Sequence, residues 1–180
     1  MARVGVAGVA VAAVVCSVAM AAQAPTPAVA PFLRGAIDIH VHAYPDSRPR
    51  SLDVIDVARQ AKAAGMRAVV IKNHYEFTSG QAYIVRKEVP GIEVFGGVDL
   101  NLPVGGINPH AVEYMAATSG GYGKVVWMPT FDSENQVRFS KENRPFVSVA
   151  KNGALLPAVT QVIASIARHN LILRSEEHTS

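Results

Sequence analysis

From residue 34 onward, apolar and polar positions follow two alternating rhythms. "RGAIDIHVHA" has a period of two and predicts a strand. "SLDVIDVARQAKAAG" places Leu52, Ile55, Val57, Ala58, Ala61 and Ala64 on a period near 3.6. It predicts a helix with Ser51 as N-cap and Gly65 as its stop. "MRAVVIKNH" is a β-branched run too short for a helix, hence a buried strand. The same alternation continues through a helix in "TSGQAYIVRKEV", ending at Pro90, and a strand in "IEVFGGVDLN". "NPHAVEYMAATSGG" predicts a helix with Asn108 as N-cap, Pro109 at its first position and glycines at its end. "GKVVWMP" is a fourth strand, "PAVTQVIASIARHN" a helix and "LIL" the start of a fifth strand. The stretch "FDSENQVRFSKENRPFVSVAKNGALL" reads as a polar insertion.

Strand followed by helix, repeated, predicts βα units on a parallel sheet. A doubly wound nucleotide-binding sheet should carry a Gly-rich turn after its first strand, whereas "HVHAYPD" stands there. Polar residues gather instead at the strand ends: His40 and His42; Lys72, Asn73 and His74; Asp99 and Asn101; Thr130 and Asp132. A barrel builds its active face from such positions. The expected fold class is therefore α/β, the N-terminal half of a (β/α)8 TIM-type barrel, truncated near the fifth strand and occupying residues 35–173.

Both ends read differently. Arg3 precedes an apolar run from Val4 to Ala22 that closes on Ala19-Met20-Ala21, the layout of a secretory signal peptide over residues 1–21. An uncleaved membrane anchor is the alternative, but the run is Ala/Gly/Val-rich and ends in a cleavage pattern. The expected location is the bacterial periplasm or outside the cell, without stable membrane association after cleavage. Residues 22–34 form a Pro-rich linker. The tail "RSEEHTS", residues 174–180, resembles the in-frame translation of a common sequencing adapter. It is expected to be an artefact, with the native sequence continuing past residue 173 into a longer protein. On that expectation the 180-residue chain alone folds poorly and is inactive.

The length suits one domain. A net charge of +3 without a basic block argues against nucleic acid. The single cysteine, Cys16, rules out an internal disulfide and a thiolate metal site.

On a strand, residues two apart share a face, so Asp38, His40 and His42 should point together. Two imidazoles emerging at a strand end can chelate one metal ion, and imidazole suits zinc and other first-row divalent ions. Asp38 would orient His40 or help seat the ion. A pair of solvated surface histidines is the plainer alternative. Lys72 and His74 repeat the spacing one strand later. His74 is a candidate third ligand or substrate contact. Lys72 could be carboxylated to bridge two metals, bind an anionic substrate, or simply reach solvent. His110, at the start of a helix, is a candidate substrate contact or a solvated first-turn residue. Asp99, Asn101 and Asp132 are candidate orienting or substrate groups, the two aspartates being equally natural as turn residues. Trp127 suits core packing, and His169 a helix C-terminus.

"IDIHVHAYPD", "VVIKNHY", "GGINPHAVEY" and "VVWMPTFD" together resemble an uncharacterised branch of the amidohydrolase-like metal-dependent hydrolases, over about residues 35–173. The resemblance implies a (β/α)8 barrel, one or two divalent ions, zinc first among them, and a metal-activated water attacking a C–N or C–O bond of a small molecule. His40 and His42 match that group's first-strand ligands. Its other histidines and its general base, an aspartate, come from later strands and are expected beyond residue 173. "MPTFD" departs from the pattern, offering no lysine or glutamate to bridge two metals. The alternatives are a phosphoesterase on a related metal-binding barrel and a non-catalytic binding module.

Overall fold

The computed structural model of the chain describes residues 31–175. The expected signal peptide, most of the linker and residues 176–180 of the tail lie outside them. The period-two stretches form strands β1 (Ile37–Val41), β2 (Ala68–Ile71), β3 (Glu93–Asp99), β4 (Gly123–Trp127) and β7 (Ile172–Arg174). The period-3.6 stretches form helices α1 (Val54–Ala63), α2 (Ser79–Glu88), α3 (Pro109–Ala117) and α5 (Pro157–Arg168). Helix α1 begins later than Ser51 because Asp53 caps it, accepting the Ile55 and Asp56 N–H groups at 2.8 Å each. Asn108 caps α3 as expected, taking the His110 N–H at 3.1 Å.

The stretch read as a polar insertion has structure of its own. It holds helix α4 (Glu134–Phe139), started by the Ser133 hydroxyl accepting from Gln136 N, and a small antiparallel hairpin of β5 (Ala150–Lys151) and β6 (Ala154–Leu155). Asn152 and Gly153 turn that hairpin with φ of 52° and 77°, the left-handed pair that a two-residue turn requires.

All five main strands are parallel, in the order β1-β2-β3-β4-β7. Val69, Ile71 and Val94 pack under α1 and α2, against Ala58, Ala61, Ala82 and Val85. Val98 and Val126 pack under α3 and α5, against Val112, Met115, Val162 and Ile166. The other face carries a smaller cluster of Val70, Val125 and Trp127, with Phe95 packed against it. Among the described residues no helix is long and apolar enough to cross a membrane.

The expected half of a TIM-type barrel has to be corrected. The chain forms a small α/β domain with a curled, open five-stranded sheet. β1 and β7 are its edges, and Ile37, Ile39, Ile172 and Leu173 on them are exposed. Strand-helix alternation specifies that neighbouring strands run parallel. It does not specify closure, which depends on strand number, tilt and stagger together. The sequence pattern held only the first kind of information.

Candidate functional site

The carboxyl ends of β1 to β4 meet around a buried polar cluster. Lys72, Asn73 and His74 follow β2, Asp99 ends β3, Asn101 lies two residues on, and Thr130 and Asp132 follow β4; all are buried. Gly97 makes room for this. A Cβ there would lie 2.0 Å from Val125 O and 2.6 Å from the Trp127 ring, so only glycine lets the indole pack this close to β3. Lys72 Nζ lies 5.6 Å from the centre of that ring, within reach of a cation–π attraction.

Burying an ammonium demands a partner. Lys72 Nζ sits 3.1 Å from Asp99 Oδ2 and 3.2 Å from His74 Nδ1. The Thr130 hydroxyl donates to Asp99 Oδ2 at 2.7 Å and lies 3.1 Å from His74 Nδ1. Asn101 ties the strand ends together. Its amide NH2 donates to His74 O at 2.8 Å and Thr130 Oγ1 at 3.1 Å, and its Oδ1 accepts the N–H groups of Thr130 and Asp132 at 3.0 and 3.1 Å. Asp132 accepts Leu102 N at 2.9 Å and Arg144 Nη1 at 2.6 Å.

The histidines stand at one side of this cluster. His40 Nε2 and His42 Nε2 face each other across 3.0 Å. His42 stacks on His74, with ring centres 4.7 Å apart, and His74 packs on Phe131 at 4.0 Å. Burial, with the nearby charges of His74, Arg50, Lys72 and His40, holds the His42 pKa down to about 4. Its imidazole is neutral at pH 7. Asp38 is placed differently from the histidines. A register irregularity between Asp38 and Val41 breaks the alternation of β1. Asp38 lines a cleft against α1 with Val41, Val57 and Ala61, and its Oδ1 accepts the His40 N–H at 2.9 Å. Its carboxylate thus braces the backbone of β1. His110 is exposed at the start of α3 and joins none of these contacts. His169, ending α5, lies 2.5 Å from Glu113 Oε2 on α3.

Three side chains of the site were invisible to sequence reasoning. The loop after β1 closes on itself through Tyr44 N to Leu52 O and Val54 N to Tyr44 O, both 2.9 Å. It brings the Arg48 guanidinium 4.2 Å from the centre of the Phe131 ring, with a hydrogen bond to Tyr75 Oη at 3.2 Å. Arg50 pairs with Asp46 on the same loop. No periodicity marks Arg48, Arg50 or Phe131.

The paired Nε2 atoms suit a divalent ion in part. Two nitrogens bound to one tetrahedral zinc lie roughly 3.4 Å apart, close to the separation seen. Among the described residues no group of three or more His, Cys, Asp or Glu side chains converges on a metal position. No curated protein and no solved structure matches the chain. The model of a family of unknown function, DUF6282, matches residues 35–179, spanning β1 through β7 and every residue of the polar cluster. The chain belongs to this family of unknown function.

Proposed function

We propose that this chain carries the metal-holding part of a metal-dependent hydrolase acting on a C–N or C–O bond of a small molecule, with His40 and His42 as ligands to a divalent ion, zinc first. The observation that carries the reading is the 3.0 Å approach of two Nε2 atoms at a strand end, above a buried, hydrogen-bonded polar floor. A divalent ion held there would acidify a bound water and polarise a scissile carbonyl. His42 is neutral at pH 7, so its lone pair is available without loss of a proton. The Lys72 ammonium, the Thr130 hydroxyl and the Asp99 carboxylate all lie within 3.4 Å of His74 Nδ1, so His74 would meet a substrate oxygen or the ion through Nε2. Asp99 holds Lys72 in place beside it. The Asn101 clamp keeps β2, β3 and β4 in register beneath the site.

The test is calorimetric titration of zinc into the full chain. The expected result is one ion per chain, with binding weakened at least tenfold in His40→Ala and in His42→Ala. No binding, or binding unchanged in both variants, would overturn the reading and leave a non-catalytic module.

A further inference from the structure

We propose that Arg48 forms an anion subsite in the cleft beside Phe131, two ring contacts from the histidine pair, taking a carboxylate or phosphate group of a small-molecule substrate. This deepens the hydrolase reading and rests on it for the word substrate. The cations around the site are unequally engaged. Lys72 is held by Asp99, and Arg144 by Asp132 and Glu142. Arg48 has no carboxylate partner among the described residues. It is exposed, lies over the Phe131 ring and donates one N–H to Tyr75 Oη. Arg50 gives its Nε–H to Asp46, while its Nη2 is buried with no hydrogen-bond partner among the described residues.

A guanidinium laid on an aromatic ring keeps its N–H edge for an oxyanion, and the planar fork matches carboxylate and phosphate geometry. Arg48 opens onto a cleft of about 610 Å³ that it shares with Tyr75, Phe131, Asp132 and Arg144. At the Arg144 end two carboxylates face one cation, which repels an anion and directs it to the Arg48 end. Phe131 touches His74, and His74 touches His42, so an anion at Arg48 lies two ring contacts from the histidine pair. That is within the span of a small molecule whose other end reaches His40 and His42.

The experiment titrates inorganic phosphate, and separately malonate, into the zinc-stripped full chain and follows heat or amide shifts. Saturable binding of at least one anion is expected, and the anion that saturates identifies the chemistry as phosphate or carboxylate. Arg48→Gln should weaken it on the order of tenfold to a hundredfold. Arg48→Lys, which keeps the charge and loses the fork, should fall between. Arg144→Gln, which removes a cation already held by two carboxylates, should weaken it less than Arg48→Gln. The His40→Ala/His42→Ala double variant should still bind the anion, so a failed zinc titration leaves this test intact. Circular dichroism melts show that each variant folds. Absence of saturable binding for both anions, or undiminished binding in a folded Arg48→Gln variant, would overturn the proposal.

Discussion

Lys72 Nζ and Asp99 Oδ2 lie 3.1 Å apart with neither side chain exposed to solvent. Removing one partner leaves the other charge in the interior, which costs about 3–5 kcal/mol. Lys72→Met and Asp99→Asn should each lower the unfolding free energy obtained from urea titration by an amount of that order. The double variant should lose much less than the sum, because it removes both charges together. Additive losses in the double-mutant cycle would show that the pair is not coupled.

Two glycines should respond in opposite directions to the same methyl group. At Gly97 a Cβ meets the Val125 carbonyl and the Trp127 ring at 2.0 and 2.6 Å. Both are fixed by the sheet, so Gly97→Ala should cost about 3 kcal/mol. At Gly80, in the first turn of α2, a Cβ meets nothing within 4 Å and φ is not positive. Gly80→Ala should stabilise by a few tenths to about 1 kcal/mol through lost chain entropy in the unfolded state. Chemical denaturation of both variants measures the contrast.

How far the sequence could be read depended on which interactions leave a periodic trace. The strands, the helices and the Asn108-Pro109 start of α3 are local, and their spacing showed them. The histidine pair was legible for the same reason, since two residues apart on a strand is a local relation. Asp38 was assigned to the same face by that rule, and the irregularity between Asp38 and Val41 defeats it. The hairpin of β5 and β6 had a visible turn signal in Asn152-Gly153, but its strands are two residues each and exposed, too short to alternate. Whether the sheet closes and whether Arg48 packs on Phe131 both depend on residues far apart in sequence. Periodicity carries no information about either.

Acid should loosen the contact between α3 and α5. Glu113 on α3 accepts hydrogen bonds from Ser165, His169 and Arg168 on or next to α5, and these hold its pKa below 4.5. A carboxylate with a depressed folded-state pKa contributes stability that is present above the unfolded value and lost as pH falls through the folded one. Glu113→Gln should therefore melt below the parent at pH 6, and the gap should shrink as pH falls through and below the ordinary carboxylate range. A gap of constant size from pH 6 to pH 3 would assign the effect to packing instead of charge.

Stability and metal affinity should separate between Asn101 and His42. Asn101, on the segment after β3, is fully buried and satisfies four partners on the segments that follow β2 and β4. Asn101→Ala strands two backbone N–H groups and one carbonyl, at about 3 kcal/mol in total once part of the loss is recovered by water. Asn101→Asp keeps the acceptor, loses the donors and adds a negative charge near Asp99, so it should cost at least as much. Neither change touches β1, which carries His40, leads directly into His42 and is braced by the Asp38 carboxylate on the His40 N–H. Zinc affinity in these variants should therefore fall less than tenfold, measured where they remain folded. His42→Ala should do the reverse. Its Nδ1 is buried without a hydrogen-bond partner among the described residues, so deleting the ring forfeits packing on His74 but strands no polar partner there. Urea midpoints and zinc titrations on the three variants place each residue. Should Asn101→Ala abolish zinc binding while folded, the ion would depend on the strand ends of β2 to β4, and His74 would count as a ligand.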